Sequence, residues 1–408
     1  MPTVWVISEP YYPEDVSTGY LLTRIAEGLA EQQRVRVLCS QPTYELRGTR
    51  VPWRESCRGV DIRRCWSTTL NKDFLPFRAV NLITFSASVF FRALLSIDRG
   101  DVTLVVTNPP SIPFLIMIAG WMRGGKVLLL IHDVYPEVLV AAGFISANSI
   151  FTKVLNWFNR RLYRSATQVI VLGRDMYTLA KTKLGTANVP LVIIPNWADV
   201  HEIHPIAREQ NTFLNKLNLK QKFVVVYSGN MGRTHGLQDI VACAESLGGD
   251  DSIHFLLIGS GAGHRRLEEQ LKVRPMQNIT LLGRQKREDL NDALNAGDVS
   301  LISFLPGMAG VSVPSRMYNI MAAGKPIIAV ADSHSELATV VREENIGWVI
   351  PPGNLNELAA AIQAAKSDPR CVAEMGQRAR KAVEEKYTLP VVIGAYRALV
   401  DRVLHPEK

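Results

Sequence analysis

Two arginines stand where the surrounding backbone favours an anion. Arg316 follows the small-residue run Ala309-Gly310-Val311-Ser312-Val313-Pro314-Ser315, and Ser315 is of the type that caps helices. The helix so begun reads MYNIMAA. Gly324 stops it, Lys325-Pro326 lies behind, and IIAVA resumes as a buried strand. Free N–H groups and the dipole at such a start favour a phosphate, and Arg316 adds a full charge in the first turn. Asn319, three residues on, shares the face of Arg316 and can reach what the phosphate is attached to. The same residues also fit an ordinary loop, helix and strand with a surface arginine.

Arg233 sits inside a second loop of this kind, YSGNMGRTHGL from Tyr227 to Leu237, with Ser228, Gly229, Gly232 and Gly236 around it. Glycines let a backbone approach a ligand closely, and an arginine fork pairs with phosphate oxygens. A third turn, IGSGAGHRRL from Ile258 to Leu267, is a weak signal alone, since any tight turn from strand to helix can read so. Three such turns closing strands of one sheet point to a nucleotide. His132-Asp133 closes another apolar run and is the remaining candidate for acid–base chemistry, or else a structural histidine at a strand end. No Asp-x-Asp pair occurs, which favours chemistry without a metal.

The elements that position these residues repeat. VWVIS, RVRVLCS, VTLVV, KVLLLI, QVIVL and LVIIP read as strands separated by longer helical patterns, such as YLLTRIAEGLAEQ with Leu21, Leu22, Ile25 and Leu29 on one side. Repetition of this unit implies a parallel sheet covered on both faces, with ligands at the strand C-termini. The pattern pauses over 200–222 and restarts at FVVVYSG, continuing through HFLLIGSG, NITLLG, VSLIS and IIAVA. Two α/β domains with a cleft between them follow. The expected division is a first Rossmann-like domain over 1–199, a linker over 200–222, a second over 223–385, and a helix over 386–408 packing back on the first domain.

The 408 residues are 47% apolar and 21% charged, an ordinary globular composition, with net charge +8 and a pI near 9.2. That excess suits an anionic nucleotide, a nucleic acid or an acidic membrane. No nucleic-acid module appears. Five cysteines without metal spacing fit a reducing cytoplasm, and the N-terminus does not read as a secretion signal. Val102 to Met122 is uncharged over a bilayer's length, but Asn108-Pro109-Pro110 and Pro113 divide it into strand, turn and packed helix. An arginine-rich insertion with Trp53 and Trp66 precedes an apolar helix opening at Phe74. It reads either as a feature for an anionic membrane interface or as a solvated loop and a buried helix.

Taken together, PSRMYNIMAAGKPIIA, YSGNMGRTHGL, IPNWAD, IHDVYPE and the YYPED loop ending at Thr18-Gly19 resemble the retaining glycosyltransferases of family 4. These have the GT-B fold, two Rossmann-like α/β domains with parallel sheets facing a cleft. Within the family the chain looks most like enzymes of colanic-acid, O-antigen and exopolysaccharide assembly. The resemblance implies hexosyl or N-acetylhexosaminyl transfer from a nucleotide sugar, with UDP favoured, to a polyprenyl-diphosphate-linked saccharide. It implies neither metal nor cofactor, and a place at the inner face of the cytoplasmic membrane. The implied catalytic set is His132, Asp133, Arg233 and Arg316. The implied donor set is Gly19, Gly229, Arg233, Gly259, Gly283, Arg284, Gly310, Val311, Ser312, Val313, Ser315, Arg316 and Asn319.

Departures from the family matter. Val311 and Asn319 occupy the positions of two glutamates spaced by seven residues, which removes carboxylate roles but leaves backbone amides at 310–313 for the sugar. His235 stands where many members have a lysine, leaving Arg233 and Arg316 as the diphosphate partners. Retention without a carboxylate nucleophile implies attack on the face the diphosphate leaves, with His132 as general base the rival role. A UDP-sugar epimerase of the same fold, or a non-catalytic nucleotide-sugar-binding subunit, are the alternatives. An epimerase would be expected to carry carboxylates near the sugar.

Overall fold

The computed structural model describes residues 2–43, 46–70 and 74–405. Its first half runs β1 (Thr3–Ile7), α1 (Ser17–Ala30), β2 (Arg34–Ser40), β3 (Arg54–Cys57), β4 (Val60–Cys65), α2 (Leu75–Ser96), β5 (Val102–Val106), α3 (Ile112–Arg123), β6 (Lys126–Leu130), α4 (Glu137–Ala141), α5 (Ile150–Ser165), β7 (Gln168–Val171), α6 (Arg174–Leu184) and β8 (Leu191–Ile193). The second runs α7 (Thr212–Lys216), β9 (Phe223–Asn230), α8 (Leu237–Ser246), β10 (Ile253–Ser260), α9 (Ala262–Val273), β11 (Ile279–Leu282), α10 (Leu290–Asn295), β12 (Val299–Ser303), α11 (Arg316–Ala322), β13 (Ile327–Val330), α12 (Glu336–Glu343) and β14 (Gly347–Ile350). Three helices close the chain: α13 (Leu355–Ser367), α14 (Pro369–Lys386) and α15 (Leu389–Leu404).

The chain divides into two compact units. The first takes residues up to Pro136, Ile145–Pro195, and the end of the chain from Pro390; the second takes Glu137–Phe144 and Asn196–Leu389. Helix α15 belongs with the first unit because Gly28 of α1 leaves room for it: a Cβ there would lie 2.5 Å from Ile393. Positions 406–408 of the expected C-terminal stretch lie outside the described residues.

In the first unit an eight-stranded sheet has the order β3-β4-β2-β1-β5-β6-β7-β8. All neighbours are parallel except β3 and β4, which form an antiparallel hairpin at one edge. Strands β1 and β5 are buried along their whole length, as strands covered on both faces must be. The segment Val102 to Met122 is β5, a bend and α3, as the prolines require.

The arginine-rich insertion is largely the β3–β4 hairpin, and three of its arginines are engaged within the protein. Arg64 is 2% exposed; its Nη1 donates to the Pro52 carbonyl at 2.6 Å and its Nη2 to that of Tyr12 at 2.8 Å. Arg63 pairs with Asp61 at 2.9 Å and Arg58 with Glu27 at 3.2 Å. Helix α2 is only partly buried.

The second unit has a six-stranded parallel sheet in the order β11-β10-β9-β12-β13-β14. The chain moves outward from β9 to β11, then returns to the centre at β12, so neighbouring βα connections diverge between β9 and β12. The stretch 200–222, expected as a linker, lies within this unit. Phe213 and Leu214 of α7 are buried in its core, and Arg380 of α14 donates to the carbonyls of Val200, Ile203 and Ala322 at 3.1, 2.8 and 2.7 Å.

Candidate active site

The divergence between β9 and β12 is where the second unit gathers its chemistry. Gly229 near the end of β9 has φ +144°, and a Cβ there would lie 2.9 Å from Nη1 of Arg316. Only glycine lets the guanidinium in. Arg316 heads α11 and stacks on Tyr227 of β9, its carbon Cζ 4.5 Å from the ring centroid. The Tyr227 hydroxyl is turned aside, donating to the Asn230 carbonyl at 2.7 Å. Nε and Nη2 of Arg316 are buried and have no hydrogen-bond acceptor among the described residues. Two buried donors of a half-buried guanidinium without acceptors cost free energy that an anionic partner would offset.

Helix α11 presents little else outward. Arg316 and Asn319 are half-buried and the other five residues are buried, so the i,i+3 face read from the sequence is the accessible one. Ser315 occupies the N-cap position with helical dihedrals and makes no side-chain capping bond. The loop before it alternates, with Val311 and Val313 buried and Ser312 half-buried. The Val311 side chain joins the core and its N–H donates to the Met308 carbonyl at 3.1 Å. Gly310 has φ +74°, which the turn requires. A residue the sequence did not single out holds this loop. The Asp332 carboxylate accepts from the N–H groups of Gly307 and Ala309 at 3.0 Å each.

His235 lies 5.3 Å from the Phe304 ring. Burial, then the charge of Arg316, pushes its pKa down to about 3, so it is neutral at a position where the resemblance implies a lysine in many members. Ser303 donates to the Gly236 carbonyl at 3.3 Å and locks the loop to the end of β12. Arg233 in the same loop is exposed, its guanidinium 4.9 Å from the centre of the Phe144 ring. At Gly259 a Cβ would lie 2.0 Å from the Gly229 carbonyl, so this glycine allows close pairing of β10 with β9. In that same turn the Gly263 N–H donates to the Met231 carbonyl at 2.8 Å, so the GSGAG run packs against its neighbour. Gly283 and Arg284 are exposed beyond β11.

In the first unit His132 follows β6 and is 9% exposed. Its N–H and that of Asp133 donate to the Thr107 hydroxyl at 3.1 and 3.3 Å, which fixes the turn. Burial pushes its imidazole down to about 4. Its Nδ1 is 3.5 Å from the Thr18 hydroxyl in the first turn of α1, a long contact that brings together two positions implied by the resemblance. Gly19 beside it is buried, and a Cβ would lie 2.9 Å from the Glu14 carbonyl. Glu14, missed in the sequence, is 2% exposed and accepts from the Thr43 N–H at 2.9 Å.

Residues 19–197 match the glycosyl transferase 4-like domain, and 209–382 match the glycosyl transferases group 1 model. A probable glycosyltransferase of Pseudomonas aeruginosa, WbjE, is 33% identical over 83% of this chain and 84% of its own. The chain belongs to the glycosyltransferases. More exactly described, it is of the family-4 type with the GT-B fold. This glycosyltransferase is also 25% identical to the putative colanic acid biosynthesis glycosyl transferase WcaI of Escherichia coli K12, over 95% of this chain and 98% of that one. Among solved structures it is similar to sucrose-phosphate synthase from Thermosynechococcus elongatus, with TM-score 0.78, 18% identity and 99% of both chains covered. HepE of Anabaena in complex with UDP-glucose gives TM-score 0.74 at 14% identity, over 98% of this chain and 99% of that one.

Proposed function

We propose that this glycosyltransferase moves a sugar, with retention, from a UDP-sugar to a polyprenyl-diphosphate-linked saccharide in the assembly of a cell-surface polysaccharide. The observation that carries the reading is Arg316, stacked on Tyr227 with buried Nε and Nη2 that find no acceptor among the described residues. Glycosyl transfer leaves a diphosphate on which negative charge builds in the transition state, and fixed cations in a desolvated place stabilise that charge most. Arg316 takes the leaving diphosphate in this reading, Arg233 supports it from the glycine loop, and Asn319 meets the part beyond the phosphates. HepE, a solved relative in fold, is known with UDP-glucose bound, which supports uridine. WcaI bears a colanic acid name, which supports a polysaccharide product.

His132 serves by position. A buried imidazole with its pKa near 4 is neutral at physiological pH and a weak base, so it offers a hydrogen bond to the reacting sugar, while the leaving phosphate takes the acceptor's proton. The first unit meets the acceptor, and the enzyme works at the inner face of the cytoplasmic membrane. Thermal shift with UDP-, GDP- and dTDP-sugars, followed by transfer assays with the one that binds, tests this. Stabilisation by a UDP-sugar that Arg316→Ala abolishes is the expected result; no shift with any of them would sink it.

A further inference from the structure

Helices α2, α3 and α5 lie side by side in the first unit. Ser86 of α2 shares a 2.8 Å hydrogen bond with Ser111 at the head of α3, and Phe114 of α3 meets Phe158 of α5 edge-on at 6.4 Å. Their outer sides are apolar and uncovered. Leu95 on α2 is 81% exposed, Trp121 on α3 84%, and Ile150 and Trp157 on α5 76% and 51%. Only 28% of the most apolar window of α2 is buried. Monomeric soluble proteins rarely leave so much contiguous apolar surface in water.

Charge decides what covers it. The three helices hold no aspartate or glutamate and seven cations: two on α2, one on α3 and four on α5. The whole chain has an excess of +8, so nearly all of it resides here. On α5, Trp157, Arg160, Arg161, Arg164 and Ser165 line a shallow cavity open to solvent; the Arg161 guanidinium stacks 4.4 Å over the Trp157 ring, while Arg164 donates to the Leu184 carbonyl at 3.1 Å. A tryptophan beside arginine forks at the border of an apolar patch matches the headgroup level of a bilayer, where phosphates lie just above acyl chains. Asp98, just past α2, pairs with Arg123 of α3 at 3.3 Å, which leaves the cations of α5 without a carboxylate on these helices. A second protein would meet the apolar side chains equally well but would not call for that basic border.

We infer that α2, α3 and α5 form a face that docks on an anionic phospholipid bilayer, with the α5 cavity taking a lipid phosphate. The inference rests on the reading of a membrane-borne acceptor. It moves the contact away from the β3–β4 hairpin, whose Arg58, Arg63 and Arg64 are engaged within the protein.

The test is flotation of the full chain with vesicles of phosphatidylcholine alone or with phosphatidylglycerol added. Wild type should float with the anionic vesicles. Arg160→Gln/Arg161→Gln should lower partitioning about thirtyfold, from about 1 kcal/mol for each cation near the surface. Trp121→Asp should lower it on its own, while Arg54→Gln/Arg58→Gln should change it little. Each variant should keep its melting temperature and its response to UDP-sugar, which reports on the donor reading independently. If wild type does not bind vesicles, the membrane-borne acceptor falls together with this inference. If wild type binds and the α5 variant binds equally, only the inference falls. A dimer in sedimentation that Trp121→Asp dissolves would make the face a protein interface and overturn it as well.

Discussion

At the scale of single residues, Arg316 combines a cost and a use. Its stacking on Tyr227 stabilises the fold by about 1 kcal/mol, while two buried N–H-bearing atoms without acceptors cost a comparable amount. Arg316→Ala should therefore leave the urea midpoint unchanged or slightly raised, and lower kcat/KM by roughly two to three powers of ten. Equal kcat/KM for the two proteins would remove Arg316 from the site. Two histidines, His132 buried and His235 half-buried, predict a pH effect. His132 and His235 stay neutral in the fold down to about pH 4 and 3, whereas in the unfolded chain they bind a proton below about pH 6.5. The unfolded state then holds more protons, so stability falls as pH drops from about 6.5, by on the order of 2 kcal/mol per histidine at pH 5. Urea midpoints at pH 7.5 and 5 measure this, and His235→Gln should show a shallower fall than wild type.

At the scale of elements, the site depends on how closely β9, β10 and α11 approach. Gly229→Ala should cost stability, because its φ of +144° disfavours a side chain and the new Cβ would press on Arg316. A loss of about 1 to 2 kcal/mol in urea unfolding, with weakened donor binding, is expected. Asp332→Ala should leave the sheet intact and loosen the loop before α11, since the N–H groups of Gly307 and Ala309 lose their acceptor. Faster hydrogen exchange confined to about residues 307–315 is the expected sign. Exchange spread through β12 and β13 would mean that Asp332 holds the core instead.

At the scale of the whole molecule, the proposed stabilisation of the leaving group by arginines would need no divalent ion. EDTA should leave transfer unchanged; loss of activity restored by Mg²⁺ or Mn²⁺ would transfer that role to a metal. A saturating UDP-sugar should stabilise the chain against heat by about 2.7 kcal/mol at a hundred times its Kd, since binding favours the folded form alone.

Much of this architecture follows from the order of residues. Strand runs such as VTLVV and FVVVY are mostly apolar because both sheet faces are covered, and that is visible without coordinates. The α11 start, its stop at Gly324 and the shared face of Arg316 and Asn319 follow from local spacing alone. What the tertiary structure decided are contacts between residues far apart in the chain. The β9 carbonyl of Gly229, 30 positions away, lies 2.0 Å from where a Cβ of Gly259 would be. The Val311 side chain joins a core that residues from Ala198 to Val383 build. The arginines of the hairpin looked available until Arg64 reached the carbonyls of Pro52 and Tyr12, the latter 52 positions away. Composition gives the number of charges, but which of them face solvent is fixed only when distant carbonyls and carboxylates arrive beside them. For that reason the basic apolar face of α2, α3 and α5 emerged from packing: periodicity places a side chain on a helix face, and only the neighbouring helices determine whether that face is covered.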